Sequence, residues 1–446
     1  MSSTQTDVTN ITGAITPSSF LIKKALLYPS NKTKPVDIRD MILKMDVEES
    51  LSNPFIILEA FVQDGGNYFS RLRLNGNEKV EIIIGRRKQA DSESLDEDQK
   101  WEMTLTLVDV FQYSRMSANK QYYTLRMVSP WVVADASKLI VNEFEGTMAG
   151  AIEKILRNNL SIERIEKINT SSKGSVQGVF PTISPLKAAS WLLNNCYEES
   201  TPFFLYETCK KGVYLDSLKS MYDKDVQEIY ELKSFFSNTP GSAEYFDEIR
   251  TRIIKFSSPI NYSQFSNIKK GVYGSKFEAI DIFNKQFIEN DYRYSDNTKL
   301  NKFQPFSNND KVSGLNLNQI TEGRTFHVNL NPGAFEQGNI HQPLDNTIMK
   351  GEAYYNAMST NVMKMQILGN FGLEVGNKIR VDISKASSAA ALDESNMFDK
   401  YLGGDYLIQK IESNFEQKFI QSVTLVRDSV GVDIDSKDPI EADRNE

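Results

Sequence analysis

A chain of 446 residues is too long for one hydrophobic core, so the sequence predicts about two to four domains. Its 40% apolar and 25% charged positions are those of a globular protein, and an aromatic share of 11% with abundant Ile, Val and Thr leans toward sheet. A formal net charge of −8 argues against a basic nucleic-acid surface, and the absence of any run of roughly eighteen apolar residues predicts no membrane-spanning helix.

Residues 1–19 are rich in Ser and Thr and read as a flexible N-terminal arm, without the basic-then-apolar pattern of a secretory signal. Phe20 to Val128 reads mostly as strand. Ile38 to Val47 alternates, with Met41, Leu43 and Met45 on one side, and Phe55 to Val62 is a denser apolar run. Leu74 to Asn77 carries a turn signal before the strand Val80 to Ile84. Arg86 to Lys100 is charged, and its acidic cluster from Asp91 to Asp98 reads as a solvated loop. Trp101 to Val110 alternates again and Tyr122 to Val128 follows as a further strand, so 20–130 predicts a small antiparallel barrel or sandwich.

From Pro130 the period changes. Val132 to Phe144 reads as a helix with Val133, Ala136, Leu139 and Ile140 on one face, and Met148 to Leu156 as a second. Ser184 is a natural N-cap and Pro185 a first-turn residue for a third helix, whose apolar stripe holds Ala188, Ala189, Trp191, Leu192 and Leu193. These helices predict an insert over 131–200. After Pro202 the run Phe203 to Tyr206, the turn Lys210 to Gly212 and Val213 to Leu215 read as a hairpin, and Val226 to Leu232 as a strand. Residues 241–353 look irregular, with strands at Glu248 to Phe256 and Ala279 to Phe287 and long loops from Asn290 to His341. Four strands return at Val362 to Leu368, Lys378 to Ile383, Tyr406 to Phe415 and Ile420 to Arg427. Gly369 and Gly372 permit a tight turn with positive φ between the first two, and the last two read as a hairpin that closes a barrel. A second β-rich region is therefore discontinuous, 201–240 plus 354–430, with 241–353 a loop-rich peripheral excursion and 431–446 an acidic C-terminal tail. The fold class expected is α+β, predominantly antiparallel β, with two barrel domains and inserted helical and irregular parts.

No catalytic, cofactor-binding or metal site emerges. The two histidines, His327 and His341, lie in the loop-rich stretch and adjoin no nucleophile elbow. Cys196 and Cys209 form no C-x-x-C and read as buried thiols of a reducing compartment, with a disulfide between them the less favoured alternative. Gly271 to Lys276 lacks phosphate-loop spacing and reads as a turn. Asp291 to Asn297 lacks the Glu that ends a calcium loop. With 59 acidic residues, an unrecognised carboxylate pair of a hydrolase stays open as an alternative function.

Three segments carry a family resemblance. They are the helix Pro185 to Leu193 followed by Thr201 to Thr208 and Lys211 to Leu218, the stretch Gln366 to Val381, and Gly403 to Phe415 leading into Gln421 to Arg427. In this order the chain resembles the central baseplate hub subunit of contractile-tail, T-even-like phages, over roughly 20–430. The resemblance implies a structural virion protein rather than an enzyme, with two tube-type β-barrel domains per chain. It implies a homotrimer joining the sixfold tail tube, or a tube-initiator protein, above to the threefold central spike below. Baseplate wedge proteins surround such a hub, a tape measure protein is a further candidate partner, and DNA passes through the lumen without specific binding. No cofactor, metal or membrane insertion is implied, and the place is the virion tail baseplate, assembled in the bacterial host cytoplasm.

Overall fold

Alternation of apolar and polar residues decides most of the architecture seen in the computed structural model. The structure describes residues 18–30, 34–88, 94–117, 120–172, 175–199, 201–232, 243–257, 264–281, 285–293, 311–312, 315–316, 320, 322–329, 342–358, 361–384, 398–399 and 402–427. The first region contains β1 (Leu21–Tyr28), β2 (Val36–Asp37), β3 (Ile42–Ser50), β4 (Asn53–Asp64), the short helix α1 (Tyr68–Leu72), β5 (Lys79–Arg87), β6 (Leu95–Ser117) and β7 (Lys120–Val128). Its strands pair antiparallel in the order β3-β4-β7-β6-β5-β1. Ala25, Leu27, Met45, Val47, Leu58, Val62, Ile82 and Trp101, from five of these strands, share one buried cluster. A sheet whose inward face forms a single cluster has curled around it, as a barrel wall does.

Three details depart from the sequence reading. The alternation read from Ile38 becomes a strand only at Ile42, after a single helical turn at Arg39–Met41. Leu43 was expected on the same side as Met45, yet it is 44% exposed while Met45 is buried. The register runs Ile42 opposite Val62 and Lys44 opposite Phe61, so Leu43 is the extra residue of a bulge and turns outward. Strand β6 begins at Leu95, inside the stretch expected as charged loop, because Leu95 pairs with Arg87 across a register shift.

The insert comprises α2 (Pro130–Ala136), β8 (Glu143–Thr147), α3 (Met148–Lys154), β9 (Ile165–Ile168), β10 (Ser175–Val179), α4 (Pro185–Leu193), β11 (Tyr197–Glu198), β12 (Thr201–Thr208), β13 (Gly212–Ser217) and α5 (Leu218–Asp223). The expected α4 is present, with Pro185 in its first turn and Ser184 Oγ accepting from the Lys187 N–H. The helix expected over Val132 to Phe144 stops at Ala136. Ile140 then bridges Ile183 and Phe144 pairs with Gly178, so these two are buried in extended chain while Leu139 and Val141, on either side of Ile140, are left exposed. The hairpin β12–β13 extends a small sheet in the order β11-β12-β13-β9.

Next come β14 (Val226–Leu232), α6 (Ala243–Arg250) and β15 (Ile253–Ser257). The strand expected from Glu248 thus begins only at Ile253, after the acidic amphipathic helix α6. The excursion holds α7 (Gln264–Lys269), β16 (Gly274–Asp281), β17 (Gln286–Arg293), β18 (Lys311–Val312), β19 (Leu315–Asn316), β20 (Thr325–Asn329) and α8 (Gln342–Met358). It is less irregular than expected: β17-β16-β20 form a sheet, and Phe277, Ala279 and Tyr292 pack against Met349 and Ala353 of α8. The single strand expected over Ala279 to Phe287 is instead the meeting of β16 and β17.

The chain ends with β21 (Asn361–Leu368), β22 (Lys378–Ile383), β23 (Gly404–Phe415) and β24 (Phe419–Arg427). These pair with β14 and β15 in the order β14-β22-β23-β24-β21-β15, and a parallel bridge between Glu231 and Arg252 joins the two ends. A second wall of six strands is thereby closed around Tyr230, Met363, Ile367, Val381, Ile408 and Leu425. Gly369 and Gly372 do not take the positive φ expected of them. Gly376 does, at 76°. Gly369 is needed for close approach, since a Cβ there would run into the Phe419 ring.

Candidate assembly site

The hairpin β12–β13 lies where three cores meet, and its parity explains how. Phe203, Leu205, Val213 and Leu215 share one face and enter the insert core with Ala188, Ala189 and Leu192 of α4. Phe204, Tyr206 and Tyr214 share the other face and enter the second barrel core, where the Tyr206 and Tyr214 rings stack at 5.1 Å. Cys209, at the turn, enters the first barrel core. One two-faced hairpin therefore ties the insert to both barrels, and its pairing with β9 crosses the expected division at residue 200.

The polar groups of this junction are buried with it. Glu49 of β3 is 1% exposed, and its Oε1 accepts from the Cys209 N–H at 2.6 Å. Burial pushes the Glu49 carboxyl up to about 8, and the nearby Glu374 and Glu207 carboxylates add to the rise. The Cys209 thiol is pushed well up by burial and by Glu49. Glu207 is raised by burial while accepting from Ser129 Oγ and Trp131 Nε1. Glu374 accepts from Thr208 Oγ1 at 3.3 Å and from Tyr214 Oη at 3.4 Å, and Lys211 Nζ stands 3.3 Å away. On β13 itself, Asp216 is fully buried and pairs with Lys167 Nζ at 2.9 Å; the same ammonium donates to Ser220 Oγ at 2.8 Å. Lys167 is committed to Asp216, so the Ser220 contact is not that of a nucleophile with a free base. These groups hold the hairpin in register. Glu49 was missed in the sequence, although it occupies the inward parity of Met45 and Val47, and a carboxylate at that position is the signal.

The residues weighed from sequence fall apart in space. His327 lies on β20 with its side chain 75% exposed and Nδ1 3.0 Å from Glu278 Oε2; His341 lies outside the described residues. Cys196 and Cys209 are free thiols in two different cores. Of the acidic stretch, Asp96, Glu97 and Asp98 start β6, whereas Asp91 and Glu93 lie outside the described residues. Gly271 sits in a turn at φ 75°, leading into β16, and Asp291 pairs with Lys276 within the β16–β17 hairpin. Among the described residues, no group of three or more His, Cys, Asp and Glu could hold a metal ion, and no helix is long and apolar enough to cross a membrane.

Strand pairing and aromatic packing together join the two barrels. The end of β23 pairs with β3, from Lys410 opposite Ser50 to Phe415 opposite Met45. The Phe419 N–H donates to the Ser18 carbonyl at 2.9 Å, just ahead of β1. Phe371, Phe415 and Phe419 enter the first barrel core, and Trp101 Nε1 donates to the Phe371 carbonyl at 2.9 Å.

No family model and no curated protein matches this chain. Solved structures do. The tail protein from Neisseria meningitidis MC58 matches over 92% of this chain and 97% of its own, with a TM-score of 0.54 and 10% identity. The 43 kDa tail protein of prophage MuSo2 from Shewanella oneidensis matches over 92% and 99%, with a TM-score of 0.52 and 10% identity. The chain has a phage tail-protein fold. The tail-protein likeness runs through both barrels, the insert and the excursion, since nearly the whole length of each chain is matched.

Proposed function

We propose that this chain is a structural protein of a phage tail, and within it the central baseplate hub. The observation that carries the reading is the pair of six-stranded barrels welded into one chain through the β23–β24 hairpin. Three such chains would present six similar walls around an axis. That arrangement meets a sixfold tail tube on one side while keeping the threefold symmetry of a spike on the other. The tail-protein fold and the structural contacts of Glu207, Glu374 and Asp216 at the hairpin junction support a role in assembly rather than catalysis. In this reading the barrels are the tube domains, while the insert and the excursion face baseplate wedge neighbours. The ring is a conduit for DNA, and a chain with net charge −8 favours passage over retention.

Light scattering tests it. A homotrimer has three times the 50.6 kDa of one chain, alone or with the spike protein added. A monomer under both conditions overturns the hub reading. Filter binding at physiological salt should detect no affinity for duplex DNA, and submicromolar affinity would overturn the conduit.

A further inference from the structure

The outer half of β6 runs on past the neighbouring strand β5 of its own barrel. Strand β5 stops opposite Thr106, and beyond Leu107 that edge of β6 has no neighbouring strand among the described residues. The strand nevertheless continues beside β7 to Ser117, and Met116, Ser117 and Lys120 project past Asp64, where β4 ends on the far side of β7; this extension is the β6–β7 arm. Its base is anchored: Tyr113 donates to Gln121 Oε1 at 2.8 Å and stacks beside Tyr123 and Phe69. Its tip is exposed, with Met116 at 79%. From Gln112 to Tyr123 the sequence holds Arg115 and Lys120 and no carboxylate. An exposed methionine between two cations on an anchored ribbon is an adaptable apolar contact with a charge preference.

The second barrel carries a surface of the opposite character. Between β14 and α6 lies a cleft of about 890 Å³. Val226 and Ile229 line it, Ile229 being 45% exposed. Around them stand Glu228, Glu231, Glu244, Asp247 and Glu248 against Arg250 and Arg380, an excess of carboxylate. An apolar centre with an acidic surround matches an apolar tip with cationic flanks.

We propose that the β6–β7 arm of one chain seats in the β14–α6 cleft of the next copy, Met116 against Ile229 and Arg115 and Lys120 against the carboxylates of α6. The inference rests on the hub reading and names its interface. The contact is head-to-tail, linking first barrel to second barrel, and such an interface closes into a ring when its rotation allows. It also alternates the two barrel types around that ring.

The test is a paired-cysteine variant, Met116→Cys with Ile229→Cys, oxidised in the full-length chain. Both positions are exposed, and the native Cys196 and Cys209 are buried, so an engineered disulfide reports only this contact. Disulfide-linked chains that need both substitutions are expected, and their absence at high protein concentration overturns the docking. Charge reversal is the second measurement. Arg115→Glu with Lys120→Glu should weaken association about tenfold or more, and Glu244→Lys with Glu248→Lys in the same chain should restore it. Unchanged association of the arm variant also overturns the proposal. A trimer without cross-linking refutes the interface but keeps the hub; cross-linked chains that never close at three keep the interface and refute the hub.

Discussion

The second barrel closes with its own backbone: the Glu231 N–H donates to the Thr251 carbonyl at 3.0 Å, and β14 meets β15. The first barrel leaves a seam between β1 and β3; its own β2 pairs only with Leu26 and Leu27 of β1, and the seam is otherwise filled from the other barrel. Strand β23 pairs along β3, Phe419 reaches the start of β1, and three phenylalanines from the C-terminal half complete the core. Each buried ring contributes on the order of 1.5–3 kcal/mol of transfer free energy. One barrel is thus self-sufficient in its wall and the other is conditional on it. A chain that must keep two ring elements in fixed relation gains rigidity from this, because the first barrel core is complete only when the second barrel is folded.

The largest perturbation of that dependence is Phe419→Ala. Removing a fully buried ring should cost about 3–5 kcal/mol. Hydrogen exchange should show lost protection in β1 as well as in β24. Protection in β1 that survives the substitution would mean that the first barrel holds its seam alone.

A smaller and tunable perturbation is pH acting on Glu49, on the β3 side of the seam. The unfolded chain releases this proton near the ordinary value of 4.5, whereas the folded chain holds it to about 8. Between those values the folded state binds more protons, so stability falls as pH rises and the loss is complete above about 8. The slope is of the order of 1.4 kcal/mol per pH unit at most. Glu49→Gln keeps an acceptor for the Cys209 N–H and should flatten this part of the curve in denaturant titrations between pH 5 and about 8. An unchanged slope would place the pH dependence elsewhere.

The smallest expected effect lies outside both barrels. Ser184→Ala removes the α4 cap and should cost about 1 kcal/mol, seen as faster exchange in α4 with β1 and β24 unaffected. Loss of barrel protection in this variant would show that the insert, too, supports the seam.

The sequence by itself determined what is local. Strands Val226–Leu232 and Lys378–Ile383 were legible to the residue, because alternation and flanking turns act over a few positions. The Ser184-Pro185 helix start was legible for the same reason. The tertiary structure alone decided which edges meet. Helix periodicity at Leu139 and Ile140 lost to pairing of Ile140 with Ile183, and Leu43 was turned outward by a bulge that its own strand does not encode. The phenylalanines of the seam read as ordinary hairpin residues, since nothing near Phe419 names Ser18 as its partner. Glu49 had its signal, a carboxylate at inward parity, but its partner Cys209 lies 160 positions away. Periodicity chooses a face for each side chain, and only closure of the long-range walls chooses what that face is pressed against.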